Sequence, residues 1–170
     1  HPLPTKTFGC RGNRVIIKRV QPEDRSLFSH IAEDVFDEAI DPDRLARYLA
    51  DPNHLMVVAL DEKGQILAQA AAIVHFHPDK PTELYVDNLG VTPSYHRQGI
   101  ARRLLTELLV WGREIGCELA WVGTEVDNLP ARGLYDHFAK ASTFVMYEWN
   151  LTKKETRPPH GGRTGLDKFY

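Results

Sequence analysis

Cysteine is nearly missing from this 170-residue chain: Cys10 and Cys117 stand alone. That excludes a disulfide-stapled scaffold and a cysteine-rich zinc module, and it suits a reducing cytoplasm. No apolar run approaches the roughly 18–20 residues of a membrane span. The opening stretch, HPLPTKTFGCRGNR, has no apolar core of the signal-peptide kind. A surplus of either charge is absent too. With 21 Lys and Arg against 23 Asp and Glu the net charge is −2, so no basic footprint calls for nucleic acid. Two common phosphate-binding fingerprints also fail to occur: there is no GxxxxGK[ST], and no GxGxxG after a first strand.

What is present is a soluble pattern, 42% hydrophobic and 26% charged, with enough length for one cored domain. Residues 1–14 and 153–170 mix Pro, Gly and charge without period and read as tails, which leaves a domain at 15–152. VIIKRV (15–20) predicts a strand. Gln21-Pro22 opens a predicted helix with Leu27, Ile31 and Val35 on one stripe. Asp41-Pro42 starts another, Asp as N-cap and Pro in the first turn. LMVVALD (55–61) and ILAQAAAIVHFH (66–77) predict a hairpin around Glu62–Gln65. ELYVDNLGV (83–91) is a further strand whose Gly90 marks a bulge or a close backbone approach. A helix follows over about 100–115, ended by Gly116. A strand at 118–126, a helix at 128–138 and a final strand at 143–151 complete the order β-α-α-β-β-β-α-β-α-β. That order implies an α/β fold, a mixed sheet with helices on both faces.

The junction SYHRQGIARRLL (94–105) carries the chemistry. A strand, a tight turn and a helix start make a natural anion site, because the first helical N–H groups lack internal partners and the helix dipole is positive there. Gly99 lets backbone approach a ligand. The amides from Gln98 through Ile100, Ala101 and Arg102 to Arg103, with the Arg97 or Arg102 side chain beside them, would hold a diphosphate. The bland alternative is a connection whose glycine only permits the turn.

This stretch resembles the acetyl-CoA pyrophosphate loop of the GNAT superfamily, [Q/R]-x-x-G-x-[G/A]. Gly99 and Ala101 match its last two marked positions, and His96 stands at the first with Arg97 beside it. NLPARGLY (128–135) is similar to that family's N-x-x-A-x-x-L-Y segment. The resemblance runs over about 15–151 and implies a single GNAT-type domain. It implies acetyl-CoA as cosubstrate, with pantetheine lying beside the splayed strand at Leu89, Gly90 and Val91. It also implies a Leu89 N–H that polarises the thioester carbonyl. Tyr135 falls on the tyrosine that protonates the departing thiolate, the alternative being a core aromatic. Asn128 would cap its helix or bind pantetheine.

A base for the amine is sought among Glu83, Tyr85 and Asp87, which alternate along one strand. Asp87 is the first choice and Glu83 the second, against the alternative of carboxylates paired with Lys80 or an arginine. Glu125 ranks below both. His75 and His77, with Asp79 beyond, have a spacing that can bind metal, but a strand end facing solvent or substrate is the ordinary reading, and no metal is expected. Trp111 and Trp121 read as core. Residues 23–51 hold nine carboxylates and three arginines, which would draw a cationic amine or merely solvate helix faces. The stretch VFDEAIDPDRLARYLADPNHLMVVALDEKGQ loosely resembles the aminoglycoside 3-N-acetyltransferases. The expectation is therefore an acetyl-CoA-dependent N-acetyltransferase for a primary amine of a small cationic molecule, an aminoglycoside being the specific candidate. Polyamines, amino acids and protein amines are alternatives within the class, and a non-catalytic acetyl-CoA-binding module is the alternative outside it. The sheet edges and final strand are compatible with a homodimer; neither nucleic acid nor membrane is an expected partner.

Overall fold

Residues 55–60 and 66–74 are two almost unbroken apolar runs, and the fold is built on them. In the computed structural model, which describes residues 14–152, five strands form one sheet in sequence order: β1 (Ile16–Arg19), β2 (His54–Leu60), β3 (Ile66–His75), β4 (Glu83–Val91) and β5 (Leu119–Val122). β1 to β4 are antiparallel neighbours, and β5 runs parallel to β4. The β2–β3 turn forms where Asp61 Oδ1 accepts from the amides of Lys63 and Gln65, each at 2.8 Å, while Gly64 takes the left-handed φ of +79°.

Both faces of β2 and β3 are covered, which is why these strands lack polar alternation. On one face lies α2 (Ile100–Glu114), whose Leu104, Leu105 and Leu108 pack on Ala68, Ala70, Ala72, Leu84 and Val86. Burying each of those leucines is worth about 1.5–3 kcal/mol. Gly112 permits the close seat: a Cβ there would lie 2.6 Å from Leu84 Cδ2. On the other face Phe28, Val35 and Leu45 cover Met56, Val58, Ile66 and Ala71. Leu45 belongs to α1 (Pro42–Ala50), started as expected by Asp41, whose Oδ1 accepts from Asp43 N at 3.0 Å and Arg44 N at 2.8 Å. A short α3 (Leu129–Tyr135) follows β5.

Three expected elements differ. The predicted helix after Gln21 is only a 3-10 helix over Asp24–Ser29. Beyond it the chain runs alongside β3: Ile66 N donates to His30 O, and Ala32 N donates to Ile66 O. Leu27, from the 3-10 helix, and Ile31 and Val35, from irregular backbone, still join the core, because hydrogen bonds to Ile66 replaced helical ones beyond Ser29. The strand expected at 118–126 is shorter, four residues. The strand expected at 143–151 is not formed: those residues have no regular structure, and Phe144, Val145, Met146, Tyr147, Trp149 and Leu151 are exposed. The element order of the described residues is therefore β, 3-10, α, β, β, β, 3-10, α, β, α. The chain divides into two compact units after Ala139. The expected tails, 1–14 and 153–170, lie outside the described residues except for Arg14.

Candidate functional site

β4 changes character halfway along. Glu83 to Val86 pair with β3 on one side and with Leu119 to Val122 on the other. Past Val86 only the β3 side is paired, through Asn88 to Val91, and the β5 side is open. The direction of the free groups follows from alternation. Thr92 N donates to Leu67 O of the β3 side. Leu89 and Val91, at odd offsets from Thr92, turn their N–H and C=O to the open edge. The Val91 carbonyl meets His96 Nε2 there at 2.7 Å, so the histidine at the loop's first marked position ties the strand to the turn.

The turn that follows is held in two left-handed steps, Arg97 at φ +59° and Gly99 at φ +74°. No side chain caps α2, and Gly99 is its N-cap. The first α2 bond runs from Arg103 N to Gly99 O at 3.1 Å, so the amides of Ile100, Ala101 and Arg102 lie a turn short of any helical acceptor. A Cβ on Gly99 would meet open space, so glycine is needed there for its φ and not to relieve a protein contact. Buried Ile100 anchors the turn, Arg97 and Arg102 are exposed beside it, and Gln98 Nε2 donates to Ser94 O at 3.2 Å. Arg103 is directed away, toward Val15 O at 3.4 Å.

The β-bulge lies at Asp87, not at Gly90. Val86 is opposite Ala72 and Asn88 opposite Ala71, which leaves Asp87 as the extra residue. Gly90 has the other expected cause, close backbone approach: a Cβ would collide with the Val35 carbonyl oxygen. Glu83, Tyr85 and Asp87 therefore share a face, as their alternation implies, and the shift falls after Asp87, where Asn88 turns to that same face. Asp87 reaches solvent, yet desolvation pushes its carboxyl above the ordinary 3.8, with His54 opposing the rise. Burial raises the Tyr48 phenol strongly, and the Asp87 charge adds to that rise. Asp87 thus faces Tyr48 and His54 on the side of the sheet away from α2. Gln69, completely buried, donates through Nε2 to Asn88 Oδ1 at 3.1 Å and to Val35 O at 3.4 Å, leaving its Oε1 without a partner.

Tyr135 closes α3, half-buried against the α2-side core, and desolvation raises its phenol above 10.0. Asn128 caps α3, its Oδ1 accepting from Ala131 N at 3.3 Å. Glu83 is engaged elsewhere: its carboxylate lies 3.1 Å from His77 Nε2, and that contact, more than any other, lowers it. It sits four residues, about 13 Å of strand, before Asp87. Glu125 is exposed beyond β5. Burial raises the thiol of Cys117, which suits no nucleophile.

Trp111 packs at the core edge beneath the Arg19 guanidinium, 5.3 Å from its ring. Trp121 is not core: it is 41% exposed and stacks on Tyr85 with centroids 4.3 Å apart. That platform, with Tyr48, His54 and Gln69, is what sequence reading missed. The strand register, which sets Tyr85 beside Trp121 and Asn88 near Gln69, was the missing signal.

A family model described as "Acetyltransferase (GNAT) family" matches residues 19–139. The chain belongs to the GNAT family. The N-alpha-acetyltransferase RimI of Mycobacterium tuberculosis is 35% identical over 101 residues, 59% of this chain and 61% of RimI, so the match spans about three fifths of that curated relative. Among solved structures, an aminoglycoside acetyltransferase from an uncultured soil metagenomic sample, meta-AAC0020, superposes with TM-score 0.69 at 21% identity. It covers 81% of this chain and 96% of its own. The aminoglycoside N-acetyltransferase AAC(6')-Iy in complex with CoA gives TM-score 0.66 at 16% identity, over 84% and 99% of the two chains. The mixed α/β fold of the family is thereby shared. No helix among the described residues is long and apolar enough to cross a membrane.

Proposed function

We propose that this GNAT domain transfers acetyl from acetyl-CoA to a primary amine, with the open edge of β4 beside the uncapped start of α2 as its coenzyme site. That juxtaposition carries the reading. The N–H and C=O of Leu89 and the N–H of Val91 suit a pantetheine chain, which is itself a string of amides, while the Val91 carbonyl is held by His96. The amides from Gln98 to Arg102, with the Arg97 and Arg102 side chains, suit a diphosphate, whereas the Arg103 amide, counted among the donors from sequence, is taken by Gly99 O. Gly90 and Asn128 shape the walls, the first by admitting Val35 and the second by starting α3.

In this reading the amine nitrogen attacks the thioester carbon, the C–S bond breaks, and no covalent enzyme intermediate forms. Asp87 takes the amine proton, directly or through water, and its raised pKa brings it closer to working pH than an ordinary aspartate. Leu89 N–H supports the developing oxyanion. Tyr135 gives its proton to the departing sulfur, and its desolvated phenol stays protonated until then. Glu83, held by His77, is left out of proton transfer.

For the acceptor we favour a small polycationic amine of the aminoglycoside kind. Of the nine carboxylates between residues 23 and 51, six are exposed with no structural bond that accounts for them: Glu23, Glu33, Asp34, Asp37, Glu38 and Asp43. Asp24, Asp41 and Asp51 instead serve local bonds. The soil acetyltransferase and AAC(6')-Iy support the same choice by name. The RimI relative favours a second reading, a protein α-amine. Thiol release from acetyl-CoA across gentamicin-like compounds, spermidine and free-N-terminus peptides separates them. Aminoglycosides should give the highest kcat/KM, and Tyr135→Phe should lower kcat about 10²–10³-fold with CoA affinity kept. Release by no amine, with CoA bound well, would leave a binding module instead.

A further inference from the structure

Three ligand-bearing side chains meet at the far end of β4 from the coenzyme turn. His75 and Glu83 are direct register partners across β3 and β4, and His77 lies two residues beyond His75 in the connection between the strands. Their ligating atoms all lie within 4.8 Å of one another, and the two imidazole rings are 4.2 Å apart. His77 Nε2 is buried and makes no hydrogen bond, although Glu83 Oε2 is 3.1 Å away. The side chains of His77 and Glu83 are only 13% and 18% exposed.

We propose that His75, His77 and Glu83 bind one divalent transition ion of the Zn2+ class, which clips the β3–β4 connection. Two imidazole nitrogens and a carboxylate form a donor set that Zn2+ takes, with water in the fourth position. Bonds of about 2.0–2.1 Å at a tetrahedral angle place neighbouring ligand atoms about 3.3 Å apart. The His77–Glu83 pair already has nearly that separation. His75, the exposed member, closes the remaining gap by side-chain rotation, at small cost on a solvated strand end. Lys80 is the competing cation within electrostatic reach of Glu83, and a doubly charged ion displaces it. The site is independent of the acetyl-transfer reading, since none of its residues serves the proposed reaction.

The test uses the full chain after chelator treatment and dialysis. Zn2+ titration against a chromophoric chelator should show one tight equivalent, and Tm should rise by several degrees. Co2+ should give the visible absorption of a tetrahedral site. His77→Gln and Glu83→Gln should abolish uptake and the Tm rise, while His30→Gln should change neither. Circular dichroism of each metal-free variant shows whether it is folded. His75→Gln, at the exposed position, serves if a more buried variant is not, and it should weaken binding at least tenfold. No stoichiometric uptake by the parent, or uptake retained in the folded variants, would overturn the site.

Discussion

The two halves of β4 are built from similar residues and do opposite work. Glu83 to Val86 is paired on both edges, its Leu84 and Val86 locked under α2. Asp87 to Val91 is paired on one edge, begins with a bulge, and ends against a turn in left-handed conformations. In the first half every backbone group is used within the sheet, so it contributes rigidity. In the second the unused edge is an obligation that a bound molecule can meet. In the proposed reading this difference alone points to the coenzyme site: where the sheet stops pairing with itself, a bound molecule can pair.

The sharpest way to break the comparison is one substitution in each half. Asp87→Asn should lower kcat/KM about 10²-fold if this carboxylate is the base. The pH profile carries a second reading. The folded pKa lies above 3.8, so the acid limb of kcat/KM should lie above the ordinary aspartate range and vanish in the variant. Stability follows the same shift with a defined sign. A raised folded pKa means stability that is full below the unfolded value and lost as pH rises through the folded one. Asp87→Asn should therefore raise Tm at pH 7, and the gain should fade toward pH 4. Val86→Ala, one residue away, should do the reverse: about 1.5–3 kcal/mol of stability lost, kcat unchanged per folded molecule. Equal activity losses in both would erase the division.

Most of the scaffold was legible from local chemistry. Asp41-Pro42 marked the start of α1, Gly116 the end of α2, and the polar Glu62–Gln65 stretch the hairpin turn. Gly99 was legible as the turn glycine, although its cause is φ, since nothing in the protein crowds it. What escaped depends on partners distant in sequence. One unpaired residue, Asp87, shifts every later side chain of β4 to the other face, and only pairing with Ala71 and Ala72 reveals it. The stripe Leu27, Ile31, Val35 had helical spacing, but the hydrogen bonds of His30 and Ala32 to Ile66 decided otherwise. Phe144 to Leu151 has strand composition and forms no strand, because composition supplies a willing segment and not a partner edge. His75 and His77 showed two metal donors, and the third came from across the ladder.

A smaller effect tests the open half through its neighbour. Gly90→Ala places a methyl on the Val35 carbonyl, and neither backbone can yield without moving the 30–41 segment from the sheet. About 1–3 kcal/mol of stability should be lost by denaturant titration. KM for the amine should rise more than KM for acetyl-CoA, because Val35 lies in the 23–51 stretch whose carboxylates are proposed to draw the amine and not in the coenzyme turn. A loss confined to CoA affinity would place Gly90 on the coenzyme side alone.

The smallest effect bears on the paired half. The Tyr85–Trp121 stack joins β4 to β5 just before they part, so it acts as the last rivet of the closed region. Stacked aromatic pairs contribute about 0.5–1.5 kcal/mol beyond their buried area. Trp121→Ala should therefore cost about 1 kcal/mol in stability, and Trp121→Phe should restore much of it. If the paired half is only structural, kcat/KM for the amine should change less than twofold in either variant. A tenfold fall in Trp121→Ala that Trp121→Phe rescues would mean that the half-exposed ring also touches the acceptor. The boundary between scaffold and site would then move from Asp87 back to Tyr85.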